Sequence, residues 1–270
     1  PSLYPDPAMW LDLPVLEAAL QTSFAGRRLI YLTSTSSTQD VARAEAEAGA
    51  PEGTAVIAEE QTAGRGRFGR QWLSPAGKNI YVTLVLRPTV DQLRRLGIIT
   101  PLAVALAIEE TTGLVPRIKW PNDVLLSGRK ASGMMVEAEL SGADPRYALV
   151  GIGVNVNFEI APDSEIVAIA TSIKRELGAD ASREGVLAAL LNHIEALYTA
   201  PDPRAVHEAW KSRLETIGRD VTLTFRGESF TGHAEDVDEV GNLILRLSDG
   251  SHRTFEAGEV SLRAPDTATS

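Results

Sequence analysis

The chain of 270 residues contains no cysteine. This absence excludes disulfides, thiolate metal sites and any thioester intermediate on the protein. It is compatible with the cytoplasm, which is where we expect the protein to act. Histidine is scarce as well, since the four histidines lie in unrelated segments without the spacing of metal ligands. We therefore expect the histidines to be surface or packing residues.

Long apolar runs and an excess of positive charge are also missing. No stretch is apolar for long enough to cross a bilayer, so we expect no membrane association. The net charge of −10 argues against a surface that binds DNA nonspecifically. The hydrophobic content of 44% is ample for a core, and the length allows one large domain or two unequal ones.

Positive charge is concentrated in one short segment, residues 61–72, with the sequence QTAGRGRFGRQW. Glycine lets a backbone approach a ligand closely, and arginine offers a planar fork of donors that suits carboxylate and phosphate. Such a loop in an acidic protein predicts a local anionic ligand, bound by backbone N–H groups and guanidinium groups together. The alternative is a flexible, solvated surface loop that happens to be basic.

The glycines of this loop also match the pattern G-x-G-x-x-G of dinucleotide sites, through Gly64, Gly66 and Gly69. That pattern must open a helix. Here residues 79–86, which follow the loop, are rich in β-formers, and residues 54–58, which precede it, are also strand-like. The loop therefore joins two strands, which argues against a dinucleotide site. A protein kinase is a poor match, because no H-R-D or D-F-G follows.

A hydroxyl-rich turn, residues 34–40 with the sequence STSSTQD, precedes a predicted helix over residues 41–48. Ser36 or Ser37 is expected to cap this helix, and Asp40 falls at the favourable N-terminal end of the helix dipole. Capping alone accounts for the turn. The functional alternative adds a polar ligand bound at the helix N-terminus.

A second cluster of polar residues begins with Lys119 and Trp120, which end a predicted strand, and continues in the turn of residues 121–123, Pro-Asn-Asp. A plain turn is one interpretation. The functional interpretation is that a cation and an indole beside an amide and a carboxylate could stack a purine, contact a phosphate and hold a metal. Lys130, in the hairpin sequence RKASG of residues 129–133, is either a solvated charge or part of the same site.

The rest of the chain supplies packing elements. Pro101 lies inside a predicted helix over residues 91–112 and predicts a kink or a break there. Glycines within the apolar strand of residues 149–157 suggest that a ligand or another backbone approaches closely. Further helices are predicted over residues 14–21, 182–200 and 203–215. From Gly218 short alternating strands and hairpin turns predict a β-barrel of about forty-five residues, SH3-like in size.

In this order, the motifs resemble those of the biotin protein ligases. The Ser37-Thr38 turn, the glycine–arginine loop, residues 119–123, residues 130–133 and residues 151–155 all fall where that family has them. The resemblance covers roughly residues 28–260. It implies an α+β fold, a mixed β-sheet with flanking helices related to class II tRNA synthetases, followed by an SH3-like barrel. The implied domains are a catalytic domain over residues 1–217, the barrel over residues 218–263 and a disordered tail over residues 264–270.

The resemblance also implies a reaction. The family uses ATP and Mg²⁺ to convert biotin to biotinyl-5′-AMP, and then transfers biotin to a lysine of a biotin carboxyl carrier protein. The DNA-binding domain of the bifunctional members is missing, so we expect a monofunctional enzyme without specific DNA binding. Members of the family are often dimers, so the resemblance is compatible with a homodimer. Two rival interpretations stay open: a lipoate or octanoate ligase of the same fold, and a noncatalytic sensor of biotin.

The resemblance assigns a role to each site residue. Four cations, Arg65, Arg67, Lys119 and Lys130, are expected to be catalytic because they offset the repulsion between two anions and the charge of the departing pyrophosphate. The loop is expected to order over the adenylate and exclude water. Gln39 stands where the family usually has Asn. The biotin residues are Ser37, Thr38, Gln39, Gln61, Gly64, Arg65, Gly66, Arg67, Lys130 and Gly133. The ATP and adenylate residues are Trp72, Lys119, Trp120, Asn122, Asp123 and Asn155, and Asp123 is also the expected Mg²⁺ ligand.

Overall fold

The structure is a computed structural model that describes residues 10–256 and 258–262. The tail predicted to be disordered, residues 264–270, lies outside the described residues. Two β-sheets organise the described part, a mixed sheet of seven strands and an antiparallel sheet of five strands. This arrangement confirms the predicted α+β fold class.

The larger sheet has the strand order β1-β2-β3-β7-β6-β5-β4. The pair β1 and β2 is parallel and every other neighbouring pair is antiparallel, so the sheet is mixed. Strands β2 and β3 are buried along their whole length, which explains why their sequences are apolar apart from Thr83 in β3. The strands are β1 (Leu29–Leu32), β2 (Ala55–Ala58), β3 (Ile80–Leu86), β4 (Arg117–Lys119), β5 (Asp123–Leu126), β6 (Arg129–Ser141) and β7 (Asp144–Val154).

Helices cover both faces of this sheet. Alternate residues of a strand point to opposite faces, so Ile57 joins the main core while Val56 packs with Ala42 and Ala46 on the other side. Within the described part of the chain, no helix is both long and apolar enough to cross a membrane. The helices are α1 (Leu13–Ala19), α2 (Thr38–Glu47), α3 (Val90–Thr112), α4 (Ile173–Leu177), α5 (Arg183–Tyr198) and α6 (Pro203–Lys211).

Helix α3 has no break at Pro101, although a break was one of the two outcomes predicted there. The helix runs without interruption from Val90 to Thr112. A capping box formed by Thr89 and Gln92 begins the helix, and Gly113 in the left-handed conformation ends it. The middle of the helix is buried in the main core. Tertiary packing of this kind stabilises a helix more than local propensity does, and it offsets the backbone hydrogen bond that proline cannot donate.

Helix α6 is shorter than predicted, since it ends at Lys211 instead of residue 215. The backbone that follows it turns to pair with β4. The N–H of Ile118 donates to the carbonyl of Arg213 at 2.8 Å, and the N–H of Glu215 donates to the carbonyl of Ile118 at 2.8 Å. Hydrogen bonds to a sheet edge therefore replace those of the last predicted helical turn.

The smaller sheet has the order β11-β10-β9-β8-β12, with every pair antiparallel. Two strands separate β11 from β8, yet the ring of Phe255 on β11 lies 5.8 Å from that of Phe225 on β8. The sheet therefore curls around a common core, as the predicted SH3-like fold requires. Its strands are β8 (Asp220–Phe225), β9 (Glu228–Val237), β10 (Leu243–Leu247), β11 (His252–Phe255) and β12 (Glu259–Leu262).

Trp120 joins the two sheets. Its side chain is 2% exposed, and its backbone N–H donates to the hydroxyl of Thr216 at 2.9 Å. Its indole Nε1 donates to the carbonyl of Gly241 in the β9–β10 turn at 2.8 Å. The smaller sheet thus fixes the start of the 119–123 segment, and through it one wall of the cavity described next.

Candidate active site

A cavity of about 700 Å³ opens on the larger sheet, at the ends of β5, β6 and β7 that face the glycine–arginine loop. Its volume lies in the range typical of small-molecule sites. The structure brings together in its lining every residue predicted for the site except Gly64. These are Ser37, Thr38, Gln39, Gln61, Arg65, Gly66, Arg67, Trp72, Lys119, Trp120, Asn122, Asp123, Lys130, Gly133 and Asn155.

The glycine–arginine loop joins β2 to β3, as predicted, and folds back on itself. The N–H of Gly66 donates to the carbonyl of Arg70 at 2.7 Å, and the N–H of Trp72 donates to the carbonyl of Gly64 at 2.9 Å. A Cβ on Gly64 would lie 2.6 Å from the carbonyl oxygen of Trp72. Gly64 therefore permits this close backbone crossing and lies behind the cavity wall.

The turn before α2 forms one end of the cavity. Ser37 is the N-cap, and its hydroxyl accepts the N–H of Gln39 at 3.3 Å, so one of the two predicted caps is present. The side-chain oxygen of Gln61 accepts both the N–H and the hydroxyl of Thr38, at 2.9 and 3.1 Å. These bonds fix the helix N-terminus to the first residue of the glycine–arginine loop.

Two glycines of β7 form the floor of the cavity. A Cβ on Gly151 would lie 3.0 Å from the amide carbon of Gln39, and a Cβ on Gly153 would lie 2.5 Å from Cε2 and Nε1 of Trp72. Side chains from the walls therefore lie directly on the strand backbone, which confirms the close approach predicted from these glycines. Asn155, the next residue on the same face, donates its side-chain amide to the carbonyl of Thr171 at 3.0 Å.

Arg65 and Asp40 form a two-pronged ion pair at the mouth of the cavity, with both guanidinium nitrogens donating to the carboxylate. The hydrogen bond from Arg65 holds the pKa of Asp40 below its ordinary value, and the same bond raises the pKa of Arg65. The sequence indicated Asp40 only as a favourable charge near a helix N-terminus. The pairing with Arg65 joins residues 25 positions apart, and no sequence signal revealed it.

Arg67 reaches the opposite wall. Its Nη1 donates to the side-chain oxygen of Asn122 at 2.9 Å, and the amide of Asn122 donates to the carbonyl of Met134 at 2.6 Å. These bonds tie the loop to the 119–123 segment and to β6. Phe68, the next residue, has φ of 58° and is 66% exposed beside the mouth.

Lys130 and Lys119 differ in their surroundings. The ammonium of Lys130 lies 2.6 Å from Oδ1 of Asp123 and 5.4 Å from the centre of the Trp72 ring. Lys119 makes no ion pair or side-chain hydrogen bond within residues 10–256 and 258–262. The cavity thus holds one paired and one unpaired lysine beside its arginines, an arrangement that suits a ligand with several negative charges.

A metal would find few protein ligands here. Within the described ranges, no group of three or more acidic, histidine or cysteine side chains is arranged to hold a metal ion. Asp123 is a single carboxylate with one oxygen on Lys130. Magnesium commonly binds through one or two carboxylates together with substrate phosphates, so Asp123 fits an ion that arrives with a phosphorylated ligand.

The segment after β7 supplies a wall that the sequence did not indicate. The N–H of Lys130 donates to the carbonyl of Ile169 at 2.9 Å, and the N–H of Thr171 donates to the carbonyl of Lys130 at 2.9 Å. The segment has no periodic pattern of its own, so no signal marked it. Its cavity-lining residues are Phe158, Ile166, Ala168, Ile169 and Ala170.

Glu176 at the end of α4 holds this wall together. Its carboxylate accepts hydrogen bonds from Ser127, Thr171 and Arg129 at 2.6, 2.5 and 2.7 Å. Burial alone would raise the pKa of Glu176, but these three bonds outweigh it and lower the pKa below the ordinary value. The β5–β6 hairpin that carries Lys130 is therefore anchored from outside the cavity.

Comparison with known proteins agrees with this geometry. The model of the biotin/lipoate A/B protein ligase family matches residues 31–155, and that of the biotin protein ligase C terminal domain matches residues 216–263. The bifunctional ligase/repressor BirA of Bacillus subtilis is 35% identical over 245 residues, which cover 88% of this chain and 75% of that protein. The biotin–[acetyl-CoA-carboxylase] ligase of Mycobacterium tuberculosis is 32% identical over 268 residues, which cover 92% and 95%.

Among solved structures, the biotin protein ligase from Aquifex aeolicus in complex with biotin and ATP aligns with a TM-score of 0.74 and 32% identity, over 88% of this chain and all of that one. The mixed sheet and its cation-rich cavity define a ligase of the biotin/lipoate class. Within that class, the chain belongs to the biotin protein ligase family.

Proposed function

We propose that the protein activates biotin with ATP to biotinyl-5′-AMP and transfers biotin to a lysine of a biotin carboxyl carrier protein. The observation that carries this proposal is a single cavity that joins a neutral polar end, at α2, to a cluster of Arg65, Arg67, Lys119 and Lys130. Relatives named as ligases of acetyl-CoA carboxylase, and a neighbour whose structure contains biotin and ATP, support the choice of substrates.

In the first step, a carboxylate oxygen of biotin attacks the α-phosphorus of ATP. The new bond joins that oxygen to phosphorus, while the bond to the bridging oxygen breaks and pyrophosphate leaves with the electron pair. Both reactants are anions, so the four cations lower the barrier by offsetting their repulsion and the charge on the leaving group. The attacking group belongs to the substrate, which is consistent with a chain that has no cysteine.

In the second step, the neutral amine of the acceptor lysine attacks the acyl carbon of the adenylate. The carbon–oxygen bond to AMP breaks, AMP leaves with the electron pair, and the amine loses a proton as the amide forms. The adenylate hydrolyses if water reaches it, so the glycine–arginine loop closes over it. The cations at the mouth also favour the neutral form of the incoming lysine, because like charges lower an ammonium pKa.

The nucleotide lies on the side of Trp72, Lys119, Asn122 and Asn155. Trp72 offers an aromatic face for the purine, and Lys119 is free to contact a phosphate. Asp123 and the phosphates of ATP together would hold Mg²⁺. When bound, that ion supplies further positive charge against the leaving pyrophosphate.

The remaining assignments complete the proposal. Residues 1–217 form the catalytic domain, and residues 218–263 form a domain that supports it through Trp120. The reaction takes place in the cytoplasm, where ATP and carboxylases occur. A homodimer formed through the larger sheet is compatible with catalysis, and sedimentation of the purified chain tests it.

The proposal is tested by incubating the protein with biotin, ATP, Mg²⁺ and a purified carrier domain, and by measuring the carrier's intact mass. We expect one biotin to be added, and none to a carrier in which the acceptor lysine is replaced by arginine. Parallel reactions with lipoate and octanoate test the rival ligase. Modification of the carrier by those acids but not by biotin would contradict the proposal, as would tight biotin binding without transfer or AMP release.

A further inference from the structure

Two buried polar residues stand at the ends of the connection that carries the glycine–arginine loop. Glu59 directly follows β2 and is fully buried, and Asn79 directly precedes β3 and is 1% exposed. A functional loop is positioned by the rigid elements that carry it. The position of this loop over the cavity therefore depends on how its two ends are held.

Arg183, the first residue of α5, binds both ends with one guanidinium group. Its Nη1 donates to Oε2 of Glu59 at 2.7 Å and to the backbone carbonyl of Asn79 at 3.1 Å, and its Nη2 donates to Oε1 of Glu59 at 3.3 Å. Arg183 is buried and lies outside the cavity lining. Because a guanidinium group is planar and its donors have fixed directions, this contact sets the spacing of the two ends as well as neutralising Glu59.

The hydrogen bonds continue from Asn79 to the cavity wall. The Oδ1 of Asn79 accepts the N–H of Val156 at 2.9 Å, and Val156 directly follows the cavity residue Asn155. The Nδ2 of Asn79 donates to the hydroxyl of Tyr81 at 3.1 Å, and that hydroxyl donates to the carbonyl of Pro75 at 3.1 Å, in the second half of the connection. The network thus holds the connection at a third point and fixes the backbone beside Asn155.

Stability alone does not account for a buried ion pair at this place. Replacement of such a pair by apolar side chains of similar volume is often neutral or stabilising, because burial strips both charges of their hydration. An apolar side chain cannot donate a directed hydrogen bond to each end of the connection. We propose that Arg183 is a positioning residue, which holds both ends of the connection and Asn155 in the geometry that adenylate formation requires. This inference rests on the proposed function, because adenylate formation is its first step.

The inference is tested with variants that separate positioning from stability. Arg183→Met removes the guanidinium group and leaves the carboxylate of Glu59 buried without its cation. The double variant Glu59→Gln with Arg183→Met removes both charges, and its glutamine keeps an oxygen that can accept the N–H of Leu11, as Glu59 does. The control is Ile194→Ala, which opens a cavity in the core about 16 Å further along α5.

Two quantities are measured for the wild type and each variant. Urea titration gives the stability and the conditions under which each protein is folded. The rate of biotin-dependent exchange of pyrophosphate into ATP is then measured under those conditions, with both substrates saturating, so that it reports the chemical step on folded protein.

We expect the double variant to regain stability relative to Arg183→Met, because no charge is left buried and unpaired. Its exchange rate should nevertheless stay about 10–100-fold below that of the wild type, as for Arg183→Met, since a misplacement of about 1 Å can cost that much. Ile194→Ala should lose stability and keep its rate within about threefold.

Two results would overturn the inference. A double variant that regained its rate together with its stability would show that Arg183 only stabilises the fold. An equal loss of rate in Ile194→Ala would show that instability alone slows the reaction. Absence of biotin-dependent exchange in the wild type would instead refute the proposed function.

Discussion

Gly153 lies where β7 passes beneath the indole ring of Trp72, and its replacement tests how the cavity is built. A Cβ at this position would lie 2.5 Å from both Cε2 and Nε1 of the ring. Carbon atoms make favourable contact at about 3.5–4.0 Å, so the ring must retreat by about 1 Å in the variant Gly153→Ala. Because Trp72 is assigned to the nucleotide, we expect the change to act on ATP more than on biotin.

The magnitude follows from the same contact. Insertion of one methyl group into a packed site costs about 1–3 kcal/mol of stability. A misplacement of about 1 Å at a reacting site can lower the rate about 10²-fold. We therefore expect kcat/KM for ATP to fall about 100-fold in pyrophosphate exchange, while the dissociation constant of biotin changes by less than about threefold.

Gly97→Ala is the matched control. Gly97 is an exposed residue of α3, and a Cβ there would have no neighbour within 4 Å. This change should raise the free energy of unfolding by up to about 1 kcal/mol and leave exchange unchanged. If Gly153→Ala kept the wild-type kcat/KM for ATP, the indole would not be positioned by the floor of β7, and the assignment of Trp72 would fail.

Three further predictions concern ion pairs. Asp40→Asn removes the carboxylate that competes with the ligand for Arg65. Biotinyl-5′-AMP should then bind up to about fivefold more tightly, because an exposed ion pair contributes about 0–1 kcal/mol. Weaker binding in calorimetry would show that Asp40 instead positions the arginine. Arg183→Met removes the cation paired with the fully buried Glu59 and should lower the free energy of unfolding in urea by about 3–5 kcal/mol. A loss below about 1 kcal/mol would contradict this prediction. The pKa of Glu176 is lowered, so its ionised carboxylate stabilises the fold at neutral pH, and this contribution disappears as the pH falls from 4.5, the ordinary pKa, through the lowered pKa. The difference in unfolding free energy between wild type and Glu176→Gln should therefore shrink in acid. A difference that does not depend on pH would refute the assignment.

The sequence was most informative where local chemistry determines structure. Strand-forming residues on both sides of residues 61–72 showed that the loop joins two strands, and the structure has β2 and β3 there. Gly151 and Gly153 indicated a close approach within a strand, and side chains do lie on both. Nearly all of the site residues that were predicted from the sequence line one cavity in the structure. Their individual roles stay predictions.

The sequence was least informative where tertiary contacts decide. Pro101 predicted a kink or a break, and the break is absent because burial of α3 keeps the helix continuous. The contact of Asp40 with Arg65 joins two distant segments, and such a pair cannot be inferred from either segment alone. The wall of residues 158–170 has no periodic sequence pattern from which it could be predicted. Its shape is determined by backbone hydrogen bonds to Lys130 and by Glu176, which anchors the β5–β6 hairpin.

The measurement that tests the central claim most directly is the exchange of radioactive pyrophosphate into ATP, with biotin, lipoate, octanoate or no acid present. Exchange reports formation of an acyl adenylate without any carrier. We predict exchange that depends on biotin and falls about 10²-fold or more in Lys130→Met, because removal of one group that stabilises developing charge typically costs that much. Exchange with lipoate or octanoate but not with biotin, or no exchange with any acid, would contradict the claim that this cavity activates biotin.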